Sequence, residues 1–368
     1  MFEFRGISDG FQTPTRRQFL NGIAGLGASA MVQRSLVAQA MRSGPVAAAG
    51  WIDVHHHFSP PTYADVTAQK KVAPAIMNGW SVQKTIDDMD QASVSTAMNS
   101  IVVPGVWFGD KDQARRLARE CNEYAAKLSA DYPKRFGSFA TLPVPDMEGS
   151  LLEIEYAMDM LKADGFMLFT SYGDKWLGDP FFAPVLEELN RRSAVVFVHP
   201  TTNACCSILL PGISSAEIEY GTDTTRAIVR MVYSGAAKMY PNIRLIFSHG
   251  GGTMPYLIGR FVNRTARPQG SGGERQAHDF QAEIGKFYYD TAQTFHPVPM
   301  TALRNVVPIS QILFGTDYSY RSSLESTSGL IASKVFNPAE LEAIKRENAL
   351  RILPRWKTED GSGAHPSR

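Results

Sequence analysis

An α/β fold closed into a (β/α)8 barrel is predicted by three features of this 368-residue chain. Short apolar runs alternate with longer amphipathic stretches from Trp51 onward, the pattern of parallel strands joined by helical crossovers. Eight such runs can be read, and the span that holds them suits one barrel, which needs ~250 residues or more. Polar residues able to do chemistry stand where several runs end, and in such a barrel the C-terminal strand ends form the active face.

The elements follow in chain order. Residues 15–20 read Thr-Arg-Arg-Gln-Phe-Leu, a Gly- and Ala-rich apolar run covers 22–32, and Ala38-Gln39-Ala40 supplies a small-x-small cleavage site. These are the three parts of a twin-arginine signal. A leader over 1–40 is therefore set apart from the fold. It predicts export to the periplasm or beyond by twin-arginine machinery, with a membrane tether if the leader is retained. Its apolar run falls short of the ~20 residues a permanent span needs, and no later segment qualifies. The barrel is assigned to 51–353 and a flexible tail to 354–368.

The first run, 51–55, opens the stretch 51–58, Trp-Ile-Asp-Val-His-His-His-Phe. Neutral imidazole is a common metal ligand, and side chains at i and i+2 of an extended segment share a side. His55 and His57 can thus reach one ion while His56 faces away. The second, third and fourth runs are 95–101, 136–141 and 165–169. The fifth, 194–199, ends Val-Val-Phe-Val-His199-Pro, and the sixth, 243–249, ends Leu-Ile-Phe-Ser-His249. The seventh is 286–290, and the eighth, 311–315, passes into Gly-Thr-Asp317. Ala, Leu and Arg at helical spacing mark 111–130, and Leu, Ile and Met on one face mark 149–162.

Composition narrows the classes of function. A hydrophobic share of 44% and a charged share of 20% are those of a soluble globular protein. A net charge of +1 gives no basic footprint for nucleic acid, so the expected partner is a small molecule. Cys121, Cys205 and Cys206 are too few for a disulfide scaffold and lack zinc spacing, so burial is their expected role. Residues 268–273 read as a surface loop; His278 and His365 follow no strand-end pattern, and His296 could line a pocket after the seventh strand.

Together, Asp53-Val-His55-His-His57, His199-Pro, His249-Gly-Gly-Gly and Gly315-Thr-Asp317 resemble the amidohydrolase superfamily, in its aminocarboxymuconate-semialdehyde decarboxylase branch. The likeness spans 51–353 and includes Asn348-Ala-Leu-Arg-Ile-Leu, similar to the closing helix of that branch. It implies a distorted (β/α)8 TIM barrel of the metal-dependent amidohydrolase type. It also implies one divalent ion on His55, His57, His199 and Asp317, with His249 and Asp317 catalytic. The segment from His249 to Arg260 is similar to one whose Arg reaches a substrate carboxylate across a homodimer interface. After His199-Pro the chain reads Thr-Thr-Asn-Ala-Cys-Cys, without an aromatic residue that some members place there, so the exact substrate does not carry over.

Three imidazoles and a carboxylate are a hard-to-borderline donor set with a position left open, suited to zinc first and manganese second. The function expected is nonoxidative decarboxylation of a small aromatic or enoic carboxylic acid, with Arg260 gripping a carboxylate. The alternative is hydrolysis of a lactone or amide on the same scaffold. No lysine ends the fourth run, Gly-Phe-Met-Leu-Phe169-Thr, where many hydrolases of the superfamily bridge two metals, so one ion is expected.

Overall fold

The computed structural model describes residues 50–77, 79–206, 210–262 and 279–357. Eight parallel strands lie side by side: β1 Trp51–His57, β2 Val94–Ser100, β3 Phe136–Thr141, β4 Gly165–Phe169, β5 Val195–His199, β6 Arg244–Phe247, β7 Tyr288–Asp290 and β8 Ile312–Leu313. The ring closes between β8 and β1 through backbone bonds. Val54 N–H donates to Phe314 O at 3.0 Å, Asp317 N–H to His55 O at 2.8 Å and His57 N–H to Tyr318 O at 2.8 Å.

The helices that follow the strands are α1 Val82–Gln91, α2 Lys111–Asp131, α3 Met147–Asp159, α4 Ala183–Arg191, α5 Ser215–Tyr233, α6 Met254–Val262, α7 Pro297–Val306 and α8 Ser323–Ala332. Ser81, Asp110, Asp146, Ser214 and Ser322 each accept a first-turn backbone N–H, which satisfies donors that a helix start leaves free. Inside the barrel, the Phe139 and Phe197 rings stack at 5.8 Å, and Phe197 meets the His55 ring at 4.7 Å. Full burial of side chains this large contributes about 1.5–3 kcal/mol each, so an apolar floor supports the histidine layer.

Several expected boundaries shift for local reasons. Helix α3 runs 147–159 rather than 149–162, because the Asp146 side chain accepts from Gly149 N–H and starts it early. Strand β6 stops at Phe247 rather than 249, since His249 turns to φ +53°. Strand β7 begins at 288 rather than 286, as Lys286 and Phe287 N–H still close the preceding turn. Strand β8 keeps only 312–313, because Phe314 N–H leaves the ladder for Ile344 O.

Residues 354–357 of the expected tail belong to the described fold, and 358–368 lie outside the described residues. Pro354–Trp356 forms a 3-10 turn against the barrel, where Arg355 Nη2 and Trp356 Nε1 donate to Asp164 at 2.6 and 2.7 Å. Burial holds for Cys121 but not for Cys205, which is exposed, and all three thiols are free. The leader over 1–40, the 268–273 loop, His278 and His365 lie outside the described residues. Among the described residues, no helix is long and apolar enough to cross a membrane.

Candidate metal centre

Strand alternation brings His55 and His57 to one side of β1, where their Nε2 atoms converge to 3.2 Å. His199 ends β5 with its ring 4.8 Å from that of His57 and 5.2 Å from that of His55. Asp317 follows β8 at φ +64°, and its Oδ1 stands 3.1 Å from His57 Nε2 and 3.3 Å from His55 Nε2. One ligand atom from each of His55, His57, His199 and Asp317 lies within 4.8 Å of the others, and all four residues are buried. These are the four expected ligands.

A divalent ion fits this cluster. Asp317 Oδ1 is buried yet accepts no well-directed hydrogen bond, although two imidazole nitrogens face it. Leaving a buried polar atom unsatisfied costs about 1–3 kcal/mol, and more for a charged group. An ion held by His55, His57, His199 and Asp317 would remove the cost.

Around the ligands stand residues that sequence reasoning assigned no role. Asp290 Oδ2 is 2.8 Å from His55 Nδ1, which fixes the ring and presents Nε2 to the centre. The other Asp290 oxygen accepts from His249 N–H at 2.8 Å and from Ala292 N–H at 3.0 Å. His249 Nε2 lies 3.2 Å from Asp317 Oδ2, an oxygen to which Gln293 also donates. Asp290 ends β7 as His199 ends β5, so the strand-end signal was present and could have found it. Gln293 sits in a loop at φ +53°, with no such signal.

His56 points away from the ligands, as alternation requires, but it is not a free side chain. Its ring is fully buried, stacks on Tyr318 at 4.7 Å, and Nδ1 is 2.9 Å from Asp53 Oδ2. Asp53 in turn accepts from Thr316 N–H at 3.0 Å and Thr316 Oγ1 at 2.6 Å, which ties β1 to the segment carrying Asp317. His56 thus faces away as expected, and the side it faces gives it a structural role.

Burial alone pulls the His55 imidazole down, but the Asp290 and Asp317 carboxylates beside it push it up to about 10. Burial holds His57 below its ordinary value, and burial together with the neighbouring imidazoles holds His199 well below. Both rings therefore keep a lone pair for an ion at neutral pH. Burial would raise Asp317, yet the surrounding histidines hold its carboxyl well below the usual range.

A cavity of about 410 Å³ opens at the ends of β3, β4 and β5, lined among others by Trp107, Val144, Phe169, Tyr172, Thr201 and Asn203. The four candidate ligands do not line it, but it adjoins them where the Phe169 ring meets the His199 ring at 6.1 Å. Tyr220 and Tyr320 flank the cluster, with rings 6.1 Å from His199 and 6.3 Å from His57. Arg260 is exposed on α6 and makes no ion pair among the described residues. His296 is exposed too, and its side chain caps α7 rather than lining a pocket.

A family described as amidohydrolase matches residues 52–355. The Aspergillus niger protein named decarboxylase yanB is 35% identical, over 83% of this chain and 88% of that protein. The 6-methylsalicylic acid decarboxylase acuB of Aspergillus aculeatus is 34% identical, over 85% of this chain and 98% of that protein. Among solved structures, the Polaromonas dihydroxybenzoic acid decarboxylase with bound manganese and 2-nitroresorcinol superposes with a TM-score of 0.75 at 20% identity, covering 85% of this chain and 99% of that one. At that identity the likeness shows the barrel alone.

Proposed function

The chain belongs to the amidohydrolase family, and from that premise we infer that it is a metal-dependent carboxy-lyase releasing carbon dioxide nonoxidatively from a small aromatic acid. One observation carries the reading: the buried His55, His57, His199 and Asp317 set, with His249 on Asp317, beside a cavity walled by aromatic side chains. Relatives named as decarboxylases support this over hydrolysis of a lactone or amide. The 6-methylsalicylic acid in one relative's name points to a hydroxybenzoate. Val106, Trp107, Val144 and Phe169 suit a ring bearing a methyl group, whose burial is worth about 0.8 kcal/mol.

His55, His57, His199 and Asp317 would hold the ion, zinc first and manganese second on the chemistry of the donors. When bound, it would supply Lewis-acid polarisation of a substrate oxygen. The chain's own work is proton delivery. His249 and Asp317, 3.2 Å apart, form a pair that hands one proton to the ring carbon as the carboxylate departs as carbon dioxide, and recovers it from solvent. Asp290 keeps His55 in the ligating tautomer throughout.

Arg260 shares a face of α6 with Tyr256 four residues earlier, which is 88% exposed. We place this face in a homodimer contact from which Arg260 forks the substrate carboxylate in the partner's site. The twin-arginine leader would export the chain folded, with its ion aboard. The reading is tested by incubating metal-loaded protein with hydroxybenzoates, enoic acids, lactones and amides. Carbon dioxide release from a hydroxybenzoate is expected; hydrolysis of a lactone or amide with no carbon dioxide from any acid would overturn it.

A further inference from the structure

Helix α5 carries a buried carboxylate that the proton chemistry above does not use. Asp223 is fully buried. Its Oδ2 accepts from Thr170 Oγ1 and from Ser171 Oγ, the latter at 3.1 Å, and its Oδ1 accepts from Trp176 Nε1 at 2.6 Å. The Arg226 guanidinium, one helical turn on, lies 3.5 Å from Oδ1 and partly offsets the charge. Burying a carboxylate is costly unless such donors surround it, so this one is retained for what it ties together.

The ties converge on the cavity. Thr170 directly follows β4, and its N–H donates to His199 O at 2.9 Å. Its hydroxyl accepts from Thr201 N–H at 3.2 Å, just past the metal ligand His199. Trp176 belongs to a two-stranded hairpin, Ser171–Tyr172 paired with Lys175–Trp176, that leaves β4 over the cavity mouth. Asn203 Nδ2 then donates to Gly173 O at the hairpin turn. Ser171, Tyr172, Gly173, Thr201 and Asn203 form one side of the cavity. Asp223 bonds Ser171 directly, reaches Thr201 through Thr170, and holds the hairpin that carries Tyr172 and Gly173 through Trp176.

We propose that Asp223 is a positioning residue for decarboxylation: it locks the ends of β4 and β5 and the intervening hairpin into the cavity wall against which the substrate ring is held. This rests on the decarboxylase reading for the identity of the substrate, but not for the existence of the wall. Neutralising Asp223 leaves the ligand cluster assembled while the wall loosens, so substrate capture weakens more than the chemical step.

Asp223→Asn and Thr170→Val are made in the metal-loaded protein, singly and together. In Asp223→Asn, backbone amides of 171–177 and 201–203 should exchange with deuterium at least ~10-fold faster, with those of β1 unchanged and metal content intact. With a hydroxybenzoate that the wild type decarboxylates, KM should rise ~10-fold in each single variant while kcat stays within ~3-fold. The double variant should be no worse than Asp223→Asn, because the two residues act in one network. Unchanged exchange in the wall overturns the proposal. So does loss of activity in step with the folded fraction at constant KM, or a KM effect that multiplies in the double variant. The exchange measurement needs no substrate, so a wild type that decarboxylates nothing counts against the functional reading and leaves the wall to be decided by exchange.

Discussion

His55 is gripped on both sides by carboxylates, Asp290 at Nδ1 and Asp317 toward Nε2, and this governs how the centre takes up an ion. Held up to about 10, the metal-free ring is protonated at neutral pH, and its Nε2 must lose that proton before it can ligate. The sign follows: below about 10 each ion bound should displace about one proton, and affinity should climb as pH rises toward that value. Calorimetry in buffers of differing ionisation enthalpy counts the protons; none released at pH 7.5 would contradict the arrangement. The neighbouring triplet residues separate cleanly. His57→Ala should lose bound metal and activity together, since outer-shell partners alone are worth about 10–100-fold and a ligand more. His56→Ala should keep the metal but lose about 2 kcal/mol of stability in urea melts, because it empties a buried stack on Tyr318 and removes a partner of Asp53.

At the scale of elements, close packing decides what reaches the centre. Gly315 lies where β8 meets β1 and β7, and a Cβ there would stand 2.9 Å from the Cβ atoms of Asp290 and His55. Gly315→Ala should therefore cost about 1–3 kcal/mol by overpacking and weaken metal binding, as measured by thermal melts and metal titration. This crowding was invisible in the sequence, where Gly315 figured only as the first residue of the Gly315-Thr-Asp317 motif. The strand-end histidines were legible because apolar runs announce strands and a parallel barrel presents their C-terminal ends together. Asp290 had the same signature and could have been read. Gln293 could not, because its place depends on a left-handed loop residue rather than on a period. The end of β6 was overestimated for a related reason: His249 leaves the ladder at φ +53°, which apolar patterning does not encode. That of β8 was overestimated because Phe314 N–H turns to Ile344 O, a contact from a distant segment.

For the whole molecule, the predictions concern assembly and address. If Arg260 serves the partner's site, mixing inactive Arg260→Ala with inactive His249→Ala should restore part of the activity, because one site of a mixed dimer holds both native residues. Subunit exchange without recovery would confine Arg260 to its own chain. Replacing Arg16 and Arg17 by Lys should strand the protein in the cytoplasm, as fractionation would reveal, since the machinery reads the guanidinium pair as an address. Barrel topology was legible from eight runs, whereas the α6 face bearing Tyr256 and Arg260 had no sequence period that pointed to a partner. The seam between β8 and β1 has a consequence for how the molecule matures. Asp53 and Thr316, 263 residues apart in the chain, meet across it, and the ligand Asp317 hangs from the His55 carbonyl on the same join. During synthesis, His55 and His57 wait for nearly the whole barrel to emerge before their carboxylate partner arrives. An ion held by all four residues would therefore act as a rivet through the joint that unites the two ends of the chain's barrel.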